Sequence, residues 1–270
     1  HFTLRKSLMK QTFIKAGVAV ARGKVVHTMA EARRLVKDLG YPLVAKPDIG
    51  VGAAKTYKIH NLQELEKFFE QKPLLDYILE EFIQGTICSF DGLTDREGKP
   101  VFYTAHQYSQ GIMETVNNEI PADLEEAGLK VLRAFDVRER FFHFEFFRTN
   151  EDNRIVALEV NMRPPGGMTT DMFNFANDID VYREWANIIV YNRFTADYNR
   201  KYHCAYIGRK FNRSYAHTHE QVISAFGQKI VHFEPVSGVF SAALGEFGYL
   251  ARSPDMEEIY AKAAYIHELA

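Results

Sequence analysis

The 270-residue sequence predicts an α+β protein, and three observations point there. A helix, strand, strand, helix, strand series fills residues 4–83. Two strand pairs, each joined by a polar turn, follow between 89 and 161. Hydrophobic residues make up 46% of the chain, enough for a substantial core in one large domain or two small ones.

Leu4 to Lys15 has helical spacing, with Leu8 and Phe13 turned inward. Thr28 followed by Glu31 is a capping-box pattern for a helix running to Leu39, which Gly40 and Pro42 end. Leu43 to Lys46 is a short apolar strand closed by Pro47. A strand around Tyr57 to Ile59 precedes a helix opened by Asn61 with Glu64, whose inward stripe is Leu62, Leu65, Phe68 and Phe69. Tyr77 to Ile83 returns as a strand; on pattern alone it is an edge strand with Glu80 and Glu81 in solvent. Strands at Ser89–Leu93 and Val101–His106 flank the turn Asp95-Arg96-Glu97-Gly98. A helix from about Pro121 to Phe135 leads to strands Phe141–Arg148 and Arg154–Asn161, and Asp180–Tyr191 is an amphipathic helix carrying Trp185, the one tryptophan. Beyond it, periodicity weakens in a segment rich in Tyr and His. The expected organisation is a small subdomain over 1–80, a larger one over 81–194 and a C-terminal α+β subdomain over 195–270.

Charge is uneven. The formal net charge is -2, yet residues 1–60 hold twelve Lys or Arg against Glu31, Asp38 and Asp48, giving +9 at that end. These bases are spread over helices and strands, which suits a small polyphosphate better than a nucleic-acid backbone. No apolar run approaches the ~20 residues of a membrane span, so no membrane partner is expected. Cys88 and Cys204 lack metal or redox spacing, and a cytoplasmic setting is the default. The chain begins at His1 instead of Met, so a preceding segment is expected.

The most informative stretch is Phe141 to Phe147, a turn over Asn150–Asn153, then Ile155 to Arg163. On a strand, Glu159, Asn161 and Arg163 share one face. Centring the hairpin on Asp152 sets Glu145 opposite Glu159. Apposed carboxylates inside aromatic walls need a cation, and Mg²⁺ suits the oxygen donors Glu145, Glu159 and Asn161. A one-residue register slip would separate the two acids. Arg163 is placed to clamp a transferring phosphoryl group. Lys46 ends its strand beside a loop with Gly50, Gly52, Ala53 and Ala54, where a lysine and close backbone N–H groups can hold phosphate oxygens; the alternative is a solvated lysine by a plain turn.

Together these segments resemble the ATP-grasp superfamily, and most closely its amino-acid ligase branch, over roughly residues 1–190. Lys6, preceding Lys15-Ala16-Gly17-Val18, matches the family's first nucleotide lysine, and Gly40-Tyr41-Pro42-Leu43-Val44-Ala45-Lys46-Pro47 matches the second. Leu79-Glu80-Glu81-Phe82-Ile83-Gln84-Gly85 is similar to the hinge that reads adenine, implying Glu80 with backbone at Glu81 and Ile83. The acid that often binds ribose after the hinge glycine is replaced by Thr86-Ile87, leaving Asp91 as a substitute. Glu145 and the run Glu159 to Gly167 match the metal-binding element. The resemblance implies an ATP-grasp fold whose two α+β subdomains clasp the nucleotide between antiparallel sheets. It further implies ATP with Mg²⁺, or Mn²⁺ in its place, and catalytic roles for Arg163 and Lys46. The expected reaction is a carboxylate activated as an acyl-phosphate and captured by an amine, with small-molecule substrates. A kinase of the same superfamily and a non-catalytic nucleotide module are the rivals. His106 to Glu114 is either a substrate loop or a plain surface loop, and Tyr202 to His219 a partner interface or a solvated surface.

Overall fold

The computed structural model describes residues 5–50, 55–109, 112–115 and 120–270. In chain order these form α1 (Lys6–Lys15), β1 (Gly23–Val26), α2 (Met29–Leu39), β2 (Leu43–Pro47), β3 (Tyr57–Ile59), α3 (Leu62–Gln71), β4 (Tyr77–Glu81), β5 (Gly85–Thr94), β6 (Pro100–Ser109) and β7 (Ile112–Thr115). There follow α4 (Ala122–Ala134), β8 (Phe141–Thr149), β9 (Ile155–Asn161), α5 (Thr169–Asn177), α6 (Val181–Tyr191), β10 (His203–Arg209), α7 (His219–Phe226), β11 (Ile230–Pro235), α8 (Gly238–Leu244), β12 (Phe247–Ser253) and α9 (Met256–His267). The chain forms two compact units, the first from His1–Gly85, Glu126–Phe135 and Phe144–Val160, the second from Thr86–Glu125, Asp136–His143 and Asn161–Ala270.

The first unit is built on an antiparallel sheet in the order β1-β4-β2-β3. The expected edge strand over 77–83 is instead central, flanked by β1 and β2, and so its Glu80 is withdrawn from solvent. The neighbour that covers it, β1, was not foreseen. Its first residue must be glycine: a Cβ on Gly23 would sit 2.1 Å from the Leu79 carbonyl oxygen. Helix α2 keeps its expected capping box, with the Thr28 hydroxyl accepting from Glu31 N and the Glu31 carboxylate accepting from Thr28 N. It ends at Gly40, whose φ of 76° belongs to the left-handed region. In α3, capped by Asn61, Leu65 and Phe68 turn into the core beside Leu43, Ile59, Tyr77 and Leu79, whereas Leu62, in the first turn, stays exposed. In α1 it is Met9, not Leu8, that joins Phe13 in burial.

In the second unit, strands follow the order β11-β12-β10-β7-β6-β5. Strand β10 is buried on both faces. Ala205 and Ile207 meet Val222 of α7 with Ile259, Ala263 and Ile266 of α9, while Cys204 and Tyr206 meet Met168 and the α5 residues Met172 and Ala176. Helices thus cover both sides of this part of the sheet. Among the described residues no helix is long and apolar enough to cross a membrane.

Candidate nucleotide site

Helix α1 and strand β4 in the first unit bring together the charges that composition had left scattered. Lys6 and Lys10 stand four residues apart on α1, on one helical face with Phe13. Glu80 is only 5% exposed. One of its carboxylate oxygens meets the Lys10 ammonium, and the other lies 2.5 Å from Lys46 Nζ. Burial opposes the charge on Glu80, but Lys46 and then Lys10 outweigh it and hold the carboxyl below its ordinary range. Burial likewise pushes the Lys10 ammonium down, with Glu80 resisting. A carboxylate has about four lone-pair sites, so Glu80 can still accept from a further donor.

Lys6, Lys10, Lys46 and Glu80 line one cavity with Phe13, Phe147 and Leu158. Its open volume is about 20 Å³, room for about one water, so a purine can enter only as these side chains rearrange. Lys6 reaches further. Its ammonium donates to the Gly50 carbonyl at 2.9 Å and to Glu159 Oε1 at 3.3 Å. One of the expected metal ligands therefore already touches one of the expected phosphate lysines. Strand β9 is tied to the segment that follows α1 by the bond from Ala157 N to Ala19 O, 2.8 Å.

The remaining expected residues are placed as follows. Glu145 lies half-buried on β8, and Asn161 ends β9 two residues after Glu159. The hairpin turn closes through Thr149 N to Arg154 O and Asn153 N to Thr149 O, with Asn153 at a φ of 56°. With Thr149 paired to Arg154 the loop is the four residues 150–153, so the expected odd-numbered loop centred on Asp152 is not the one formed, and the register at the turn differs by one residue from the one that set Glu145 opposite Glu159. The Glu81 carboxylate is held by Arg22, at 2.7 Å to its backbone N and 2.8 Å to its Nε, and Glu81 N donates to Arg22 O. With Ile83 it edges a second cavity of about 510 Å³ that also meets the Thr149–Arg154 turn. Arg163 is exposed, donating to the Pro164 carbonyl at 2.8 Å. Residues 51–54 of the small-residue loop and part of the His106–Glu114 segment lie outside the described residues.

Asp91 is elsewhere in kind. It has no accessible surface. His143 Nδ1 lies 2.6 Å from one of its oxygens and His106 Nδ1 3.0 Å from the other, which the Ser89 hydroxyl also contacts. Burial opposes its charge, yet His106 and His143 hold its carboxyl well below the usual range. A ribose would have to displace these partners to reach it, so the expectation that Asp91 replaces the ribose acid has no support in this geometry.

Comparison with known proteins decides the family. The ATP-grasp domain model matches residues 39–171, spanning Lys46, Glu80, Glu145, Glu159 and Arg163. The chain carries an ATP-grasp domain. It is 25% identical over 179 residues to the carbamoyl phosphate synthase large chain of Clavibacter michiganensis, covering 58% of this chain and 16% of that one. It is 24% identical over 215 residues to the L-arginine-specific L-amino acid ligase of Bacillus subtilis, covering 70% and 50%. The chain thus spans half or less of these two relatives. Among solved structures, the biotin carboxylase domain of the Hydrogenobacter thermophilus 2-oxoglutarate carboxylase, in complex with MgADP, ADP and bicarbonate, superposes with a TM-score of 0.74 at 17% identity, over 100% of this chain and 67% of that one. The fold is therefore that of ATP-grasp proteins. Within it, Lys10 is the residue the sequence reading missed, although its position one turn after Lys6 on the Phe13 face was a readable signal.

Proposed function

We propose that this chain is the nucleotide-binding core of a ligase that uses ATP with Mg²⁺ to join a carboxylate to an amine through an acyl-phosphate. The observation that carries the proposal is the convergence of Lys6, Lys46 and Glu80 on one cavity walled by Phe147 and Leu158, with Glu159 against Lys6. Lys6 and Lys46 would neutralise the triphosphate, and Glu80 with the backbone of Glu81 and Ile83 would take the adenine edge. Glu145, Glu159 and Asn161 would hold the cation. Two carboxylates and an amide are hard oxygen donors. Among the described residues no group of three or more His, Cys, Asp or Glu could hold a metal, which fits a cation that takes few protein ligands and fills its shell with phosphate oxygens and water. Bound Mg²⁺ supplies neutralisation of the phosphate charge.

The substrate carboxylate attacks the γ-phosphorus as the bond to ADP breaks. The amine nitrogen then attacks the acyl carbon, phosphate leaves, and the nitrogen loses its extra proton to water. No protein nucleophile is required, so positioning and charge neutralisation provide the acceleration, with exposed Arg163 available to steady the acyl-phosphate. The name of the Bacillus subtilis relative supports amino acids as the substrate class. ATP supply makes the cytoplasm the expected setting.

The test is release of ADP and phosphate across a panel of paired amino acids and small carboxylates, with mass analysis of the product. Glu159→Gln should lower turnover about a hundredfold or more. Turnover unchanged in that variant would remove the metal assignment, and a phosphorylated product without phosphate release would make the protein a kinase.

A further inference from the structure

A cavity of about 540 Å³ in the second unit takes no part in the nucleotide chemistry, and its lining shares no residue with that assigned to ATP or metal. Its walls come from the end of β10, the loop after it, the head of α7 and the facing ends of β11 and β12. Aromatic rings dominate them. His219 packs edge-on to Phe233 at 4.7 Å and over Tyr249 at 5.7 Å, with its Nδ1 3.1 Å from the Tyr249 hydroxyl. Phe211 is 74% exposed at the rim.

Arg209 is the informative residue. It is buried to 8% exposure. Its Nε and Nη2 both donate to the Ile266 carbonyl, at 2.9 and 2.7 Å, and its guanidinium lies 4.5 Å from the Tyr215 ring and 5.7 Å from the Tyr249 ring. Among the described residues it has no carboxylate partner, and the same holds for Lys210 and Arg213 on the same lining. The one acid in the wall, Glu234, stands 3.4 Å from His232, and nearby Glu246 accepts from Phe211 N at 2.9 Å. A buried cation without a counter-ion is costly, and carbonyl and ring contacts compensate it only in part. A cavity of this size, with aromatic walls and three basic side chains on its lining, suits a ring that carries an anionic group.

We propose that this cavity binds a small aromatic molecule bearing one anionic group, its ring against Phe233, His219 and Tyr249 and its charge toward Arg209, Lys210 and Arg213. The proposal does not depend on the ligase reading, and its test runs without nucleotide. The protein is titrated calorimetrically with phenylacetate, phenyl phosphate, neutral phenylacetamide and cationic phenethylamine. At least one anion should bind saturably and about tenfold more tightly than the amide, with the amine weakest. Phe233→Ala and Arg213→Gln, both at exposed positions, should each weaken the anion about tenfold, while Lys46→Ala leaves it unchanged. The preferred anion tells a carboxylate ligand from a phosphate one. Absence of saturable binding by both anions, equal binding of amide and anion, or affinity unaltered in both cavity variants would overturn the proposal. So would self-association of the chain abolished by these variants without anion binding, which would make the cavity a contact between copies.

Discussion

Glu80 and Asp91 are both buried carboxylates held by nitrogen-bearing side chains, and they differ in what surrounds them. Glu80 sits between two flexible lysines on the wall of a cavity, with acceptor capacity left over. Asp91 is enclosed by two imidazoles and a hydroxyl on the strands of a sheet, with no surface at all. Mobile ammonium groups can exchange one anion for another, here a carboxylate for a phosphate chain. A sealed imidazole network cannot. Buried charge alone therefore does not mark a ligand site; the neighbouring space and the freedom of the counter-ions do.

The largest effect should come from the sealed network. Asp91→Ala breaks a buried charge cluster and should cost about 3–5 kcal/mol in urea unfolding, while ATP affinity of the folded protein stays within about twofold. A large loss of ATP affinity at unchanged stability would reinstate Asp91 as a ribose ligand and dissolve the contrast.

Lys10→Met should act in the opposite sense, weakening ATP about tenfold, near 1.4 kcal/mol, by leaving Glu80 to Lys46 alone. Unaltered affinity by calorimetry would reduce Lys10 to packing.

The smallest and most graded effect is on acid stability. Both carboxyls lie below their ordinary values of 3.8 and 4.5 in the folded chain. The stability they contribute is thus complete above those values and lost as pH falls through the lower folded ones. Each group adds at most about 1.4 kcal/mol per pH unit. Asp91→Ala should flatten the acid limb of the stability curve below about pH 4, and a limb as steep as in the parent would deny the network its charge.

Much of this was legible beforehand where one face of an element meets water. The capping box at Thr28, the stripe of Leu65 and Phe68, and the strands around 141–161 all left periodic or local signals. Strands β10 and β12 did not, because helices cover both faces and burial runs nearly unbroken from His203 to Arg209, erasing the alternation by which a strand is recognised. Strand β1 escaped because it is four residues long and begins with glycine. At the site, Lys6, Lys46, Glu80 and Glu159 were found through motifs, and their convergence is a property of the fold. What no pattern could reveal is that Glu80 lies in a central strand, or that Asp91 is sealed, since both depend on neighbours distant in sequence.

Nucleotide binding in this cavity requires Lys46 to face the phosphates. Titration calorimetry of Mg-ATP into the parent protein and Lys46→Ala should show affinity falling about a hundredfold, the scale expected for loss of a partly buried charge contact. Equal affinity in the two proteins would contradict it.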